Sequence, residues 1–224
     1  MKRISCVIFD IDGTLAQTNE LIYASFNHIA ERYVGRTFSP QEITGMFGPP
    51  EGIAIERLVG SEHSSEAMDE FCVFYDAHHP RMAGAYKGIK EVLEFLKGRG
   101  VLLAIFTGKG KRTTLITLKH IELTNYFDII VTGDDVTNHK PSAEGIRKVV
   151  KMFALEPAEV LMVGDSVSDI KAARDAGVAI AAVVWDSYSK EKVLQMDVDL
   201  LFHSVGDFFD WLKTSFHVLN AREA

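Results

Sequence analysis

Five short runs rich in Val, Ile and Leu, at residues 4–9, 101–106, 129–131, 160–163 and 179–184, carry no polar alternation. A strand with one wetted face alternates apolar and polar residues, so these runs suit strands covered on both faces, as in a parallel sheet. Helical patterns lie between them. Ile89, Val92, Leu93 and Leu96 recur at helical spacing, and Gly98 and Gly100 stop that helix before the next run. Ile146, Val149, Val150 and Phe153 make a second stripe. Strands alternating with helices predict an α/β fold, a doubly wound, Rossmann-like parallel sheet. One segment breaks the rhythm. From residue 20 to 85 the patterns are helical, at 21–34 and 67–75, with Gly48-Pro49-Pro50 as punctuation and no convincing strand. It reads as a small α-helical insert at residues 17–85, leaving residues 1–16 and 86–224 as the α/β core.

The apolar runs end on chemistry. The first passes into Asp10 and Asp12, followed by Gly13-Thr14. Residues two apart on a strand face one side, so the two carboxylates are expected to converge at the carboxyl end, where ligands of open parallel sheets bind. Two such charges held together need a metal ion, a shared proton, or both. The Gly13-Thr14 turn is expected to aim backbone N–H groups at an anion. The second run ends on Thr107-Gly108-Lys109, whose Thr hydroxyl can donate to a phosphate oxygen. His139-Lys140-Pro141 precedes a helix expected near Ser142 and offers an ammonium. The fourth run passes into Gly164-Asp165, with Asp169 four residues on. Each has an ordinary reading, as a turn, a helix cap or a solvated lysine. Acid, hydroxyl, ammonium and acid at three strand ends and one helix start are a poor fit to accident.

In these motifs, Asp10-Ile11-Asp12-Gly13-Thr14-Leu15, Thr107-Gly108-Lys109, Lys140-Pro141 and Gly164-Asp165 through Asp169, the chain resembles the haloacid dehalogenase-like hydrolases over nearly its whole length. The insert resembles the helical cap of their phosphoglycolate phosphatase, pyrophosphatase and β-phosphoglucomutase branches. The resemblance implies phosphoryl transfer through an aspartyl-phosphate, with Asp10 as nucleophile and Asp12 as the acid and base serving leaving oxygen and water. It implies Mg²⁺ held by the Asp10 carboxylate, the Asp12 backbone carbonyl and Asp165, with Asp169 a ligand or a group behind the ligands. Thr107, Gly108 and Lys140 would bind the phosphate. The presence of Asp12 favours phosphate esters or anhydrides over halides. Phosphoglycolate and pyrophosphate are the expected substrates, and a β-phosphoglucomutase-type phosphomutase is the alternative. A signalling phosphoacceptor shares the residue types, but its acid pair and acceptor lie in the reverse order along the chain.

A net charge of −7 without a basic block excludes nucleic acid and an anionic membrane surface as expected partners. A small phosphorylated metabolite is the expected partner, with monomer or homodimer undecided. Asp10 interrupts the first apolar run, too short for a signal peptide, and a cytoplasmic protein is expected. Cys6 and Cys72 read as buried free thiols. The Gly48-Pro49-Pro50 loop reads equally as substrate-facing or as a plain turn. Asp134-Asp135 reads as an acid pair supporting Lys140. Arg57 reads as a surface residue and His78-His79 as no metal pair, because helix neighbours point apart. Gln17 stands where related phosphatases carry an acid. Trp185 and Tyr188 are expected near the rim of the site, the Phe-rich stretches 71–75 and 208–211 in packing faces, and residues 220–224 as a frayed end.

Overall fold

The computed structural model describes residues 4–220, with side chains to residue 214; of the end expected to fray at 220–224, Asn220 is the last residue of a helix and residues 221–224 lie outside the described residues. Six parallel strands form the sheet: β1 (Cys6–Phe9), β4 (Leu102–Phe106), β5 (Ile129–Val131), β6 (Val160–Gly164), β7 (Ala179–Val183) and β8 (Leu200–Phe202). Their spatial order is β5-β4-β1-β6-β7-β8. The chain winds from β1 out to β5, then returns to β6 on the other side of β1, which makes the carboxyl end of β1 a switch point. Both faces are covered. Val7, Phe9, Leu103, Ile105, Leu161 and Val163 pack towards α5 (Ile89–Lys97) and α10 (Val205–Asn220). The intervening Cys6, Ile8, Ala104, Phe106, Val160 and Met162 pack towards α7 (Glu144–Met152) and α8 (Val167–Ala176). This double burial is why the runs show no polar alternation.

Edge strand β8 was not expected. It has only three residues, and it is held by β7 and by the Ile180 N–H, which donates to Asp199 Oδ2 at 2.9 Å. Nor was the two-stranded ladder of β2 (Ala16–Gln17) and β3 (Gly84–Ala85), which pairs Ala16 with Ala85 and Gln17 with Gly84. The ladder flanks four helices, α1 (Asn19–Val34), α2 (Pro40–Thr44), α3 (Glu51–Val59) and α4 (Ser64–Met82), which bury a core of their own. Leu21, Ile22, Phe26 and Ile29 of α1 meet Ile43, Ile55, Phe71 and Tyr75 there. This cap rests on α6 (Lys111–His120) of the sheet domain, where Tyr75 Oη and Thr117 Oγ1 lie 2.8 Å apart. A short helix, α9 (Lys190–Val193), follows β7. Cys6 and Cys72 are buried and unpaired. Among the described residues no helix is long and apolar enough to cross a membrane.

Candidate active site

A cleft opens between the cap and the carboxyl ends of β1, β4 and β6. Asp10, Asp12, Thr107, Gly108, Lys140 and Asp165 all line it. Strand β1 ends at Phe9, Asp10 still donates its N–H to Val163 O of β6, and Asp12 lies beyond, bridged to Ala16 where the turn begins, so the strand alternation does not extend from one to the other. Gly13 makes the turn possible at φ +75°, and a Cβ there would lie 2.5 Å from Asp165 Oδ2. The turn consumes its own amides: Gly13 N–H donates to Ala16 O, and Thr14 and Leu15 N–H to Ile11 O. The expected anion-facing amides at Gly13-Thr14 are therefore spent within the turn.

The two aspartates have different partners. Asp10 stands with Asp165 and Asp169, each offering an oxygen within 4.8 Å of the others. Lys140 Nζ lies 3.2 Å from Asp10 Oδ1 and 2.6 Å from Asp169 Oδ1. Burial pushes the Asp10 carboxyl up to about 6, against the lowering pull of Lys140 and with further push from Asp169 and Asp12. Asp165 is raised well above the carboxylate range by burial, then by Asp169 and Asp10. Burial opposes the Lys140 ammonium, but Asp10 and Asp169 outweigh it and hold it above the ordinary lysine value. Asp10 Oδ1 and Asp165 Oδ2 are buried and accept no hydrogen bond.

Three facing carboxylates, those of Asp10 and Asp165 each with a buried oxygen that accepts no hydrogen bond, are a hard-oxygen donor set that fits Mg²⁺. Asp169 contributes differently from Asp10 and Asp165. Its Oδ2 accepts from the Ser166 amide and hydroxyl in the capping box of α8, while Oδ1 holds Lys140. One side chain thus closes the start of α8 and pairs with Lys140.

The Asp12 side chain has partners of its own. Its Oδ1 accepts from Thr18 Oγ1 at 2.5 Å, and Lys109 Nζ lies 3.4 Å from Oδ2. Thr18 occupies the N-cap position of α1 without capping it, its hydroxyl being used on Asp12. Lys109 is buried between Asp12 and Glu51, whose Oε1 is 3.3 Å from Nζ. Desolvation disfavours that ammonium, yet Asp12, Tyr75 and Glu51 outweigh it and hold it above the ordinary lysine value. Residue pattern alone assigns no role to Thr18, Glu51 or Lys109. A Thr before a helix, a Glu at a helix start and a Lys in a loop each look ordinary. Lys109, two residues after Thr107, offered the one signal.

The cap supplies Asn19, Ile22, Phe26, Met46, Phe47, Gly48, Pro49, Glu51 and Ala54 to the cleft. The Gly48-Pro49 loop therefore faces it, and a Cβ on Gly108 would lie 3.1 Å from Gly48 O. Tyr188 lies at the rim, its ring 5.5 Å from that of Phe47. Asp134 and Asp135 do not support Lys140. Asp134 accepts from the Lys111 amide at the start of α6, and Asp135 closes its own turn on Thr132. They act where backbone amides are unpaired, whereas Lys140 is held by Asp10 and Asp169. Arg57 is exposed and does not line the cleft. His78 Nδ1 pairs with Phe74 O, while His79 is buried and stacks on His120, so the two rings serve different neighbours. Exposed Gln17 lies in the β2–β3 ladder.

The family model for haloacid dehalogenase-like hydrolases matches residues 7–183. A pyrophosphatase PpaX of Halalkalibacterium halodurans is 35% identical over 208 residues, covering 93% of this chain and 96% of that one. The PpaX of Anoxybacillus flavithermus is 31% identical over 210 residues, covering 94% and 97%. A predicted phosphoglycolate phosphatase from Haemophilus somnus superposes with a TM-score of 0.79 at 22% identity, covering 94% and 98%, a likeness of fold alone. A proposed β-phosphoglucomutase from Thermotoga maritima gives a TM-score of 0.74 at 27% identity, covering 95% and 100%.

Proposed function

The chain belongs to the haloacid dehalogenase-like hydrolases, and on that premise we propose that it hydrolyses a small phosphorylated metabolite through a phosphoenzyme formed on Asp10. The observation that carries this reading is the buried Asp10 carboxylate, one oxygen without a hydrogen bond, flanked by Lys140 and facing Asp165 at the mouth of β1. The PpaX relatives support pyrophosphate as substrate, and the Haemophilus somnus neighbour makes phosphoglycolate the second compound to test.

An Asp10 oxygen attacks phosphorus and the bond to the leaving oxygen breaks, while Asp12 gives that oxygen a proton. Asp12 then takes a proton from the water that attacks the aspartyl-phosphate, and inorganic phosphate and free Asp10 result. Asp12 is suited to both steps because Thr18 and Lys109 hold it apart from the Asp10 trio, on the cap side. Lys140, Thr107 and the Gly108 backbone surround the place of the phosphoryl oxygens and stabilise charge developing there. Asp169 holds Lys140 in that position. Asp10 and Asp165, with the Asp12 carbonyl, would hold Mg²⁺, which when bound offsets the negative charge of carboxylates and phosphate. The apolar cap residues exclude water while the ester is bound, and the cap must open for product to leave.

Phosphate release with Mg²⁺ from pyrophosphate, phosphoglycolate and hexose phosphates, compared between the parent and Asp10→Asn, tests the proposal. Release that falls by about 10³-fold or more in the variant supports it. Undiminished release in Asp10→Asn refutes the nucleophile. The likeness to the Thermotoga maritima protein supports a phosphomutase as the second reading. Conversion of one hexose phosphate into its isomer, without net phosphate release, would select it.

A further inference from the structure

Glu51 is the first residue of α3 and belongs to the cap, yet the donors to its carboxylate belong to the sheet domain. The Gly110 amide donates to Oε2 at 2.6 Å and the Thr113 hydroxyl to Oε1 at 2.8 Å. Lys109 Nζ stands 3.3 Å from Oε1. Gly110 is the N-cap residue of α6, so Glu51 also meets the positive end of that helix. A buried carboxylate is costly unless its oxygens are satisfied, and these are satisfied only with the cap seated on α6.

Lys109 is the link to the chemistry. It is buried, its Nζ is 4.6 Å from the centre of the Tyr75 ring, and it touches Asp12 on one side and Glu51 on the other. Tyr75, like Glu51, is a cap residue. With the cap lifted, Lys109 keeps Asp12 but loses Glu51 and the Tyr75 ring. The long lysine side chain is then free to rotate, and Asp12 loses a fixed lysine, while its other partner Thr18 stands where the chain enters the cap.

We propose that Glu51 is a positioning residue through which seating of the cap aims the proton donor: Glu51 holds Lys109, and Lys109 with Thr18 holds the Asp12 carboxyl towards the leaving-group side of the cleft. The inference rests on the role given to Asp12 above. It couples closure to chemistry, because the donor is fully oriented only when the cap covers the substrate. It also gives Glu51 a use beyond docking, since a docking residue has no reason to affect one class of leaving group more than another.

That difference is the test. An alkoxide leaving group needs a proton as it departs, whereas 4-nitrophenolate departs without one. Glycerol 2-phosphate and 4-nitrophenyl phosphate are assayed with the parent, Glu51→Gln and Lys109→Met, with Asp12→Asn as the reference for loss of the donor. Glu51→Gln keeps the shape and an acceptor oxygen while removing the charge. The ratio of kcat/KM for glycerol 2-phosphate to kcat/KM for 4-nitrophenyl phosphate, which reports leaving-group departure and not the shared hydrolysis of the phosphoenzyme, is expected to fall about 10- to 100-fold in Glu51→Gln. Lys109→Met is expected to move it the same way, and the double variant no further than the larger single effect. Both kcat/KM values falling in parallel, with their ratio within about twofold of the parent, overturns the positioning role and leaves Glu51 a docking contact. Hydrogen exchange of the amides at residues 110–113 reports separately whether the cap remains seated. A parent without phosphatase activity on any substrate, or an active Asp10→Asn, counts against the proposed function itself, a result distinct from an unmoved ratio.

Discussion

Replacing Lys140 by Met removes the ammonium that pairs with Asp10 and Asp169 and whose charge also acts on Asp165. Lys140 Nζ lies 2.6 Å from Asp169 and 3.2 Å from Asp10, and all three side chains are buried. Breaking a buried pair by deleting one partner costs about 3–5 kcal/mol, because the charge left behind has no compensation. The pH dependence has a definite sign. Asp10 is already raised to about 6 by burial despite the lowering pull of Lys140, and Asp165 is raised further still. A carboxyl raised in the folded state contributes stability that is full below its unfolded value and is lost as pH climbs through the folded value. Deleting Lys140 raises these groups more, so the deficit is largest at neutral pH and shrinks where Asp10 and Asp165 carry protons. Urea unfolding of metal-free protein at pH 7.5 is expected to show Lys140→Met less stable by about 3–5 kcal/mol. At pH 5 the gap narrows by about 1 kcal/mol or more. Saturating Mg²⁺ at pH 7.5 is expected to recover part of the loss, since the cation binds the same carboxylates and favours the folded state. Equal stability of parent and variant at pH 7.5 without Mg²⁺ would refute the charge argument. A deficit independent of pH would show that packing, not charge, is what Lys140 supplies.

Gly145 offers a purely steric test: a Cβ there would lie 2.2 Å from the Phe106 ring, and Lys140 Nζ stands 4.8 Å from the centre of that ring. Gly145→Ala is therefore expected to destabilise by about 1–3 kcal/mol, despite the usual gain of Ala in a helix, and to lower activity. A melting temperature equal to or above the parent's would sink the idea. His79 is buried with Nε2 unpartnered, and burial, then the charges of His120 and Lys109, lower its value to about 4 against the pull of Asp76. A depressed histidine contributes stability present above its unfolded value of 6.5 and lost as pH falls towards 4. That amounts to about 3 kcal/mol across the window. Urea midpoints of His79→Phe between pH 7 and 4 should fall less steeply than the parent's, and parallel curves would show that His79 is not the cause.

Much of the fold was legible because burial on both faces leaves a local signature. The strands β1, β4, β5, β6 and β7 announce themselves as uninterrupted apolar runs, and α5 and α7 as stripes. Strand β8, a three-residue edge strand, and the two-residue β2 and β3 are too short to carry a pattern, and only pairing defines them. The site divides the same way. Asp10, Thr107 and Asp165 were legible because a parallel sheet sends the carboxyl ends of its strands to one edge, so a polar residue ending an apolar run is placed by the run itself.

Local residue patterns thus suffice for the sheet, the edge to which its strands point and the residues that end there. How those residues pair is settled by packing between distant parts of the chain. Asp12 meets Lys109 across 97 positions, Glu51 meets Thr113 across 62, and Lys140 meets Asp169 across 29. No local periodicity encodes such a pairing, since each partner is placed by its own strand, turn or helix. They meet because the cap is seated on α6 and because β4 and β6 flank β1. The separation of Asp10 from Asp12 into two charge clusters arises in the same way. The covalent chain sets the two aspartates side by side, and packing gives one to Lys140 and the other to Lys109.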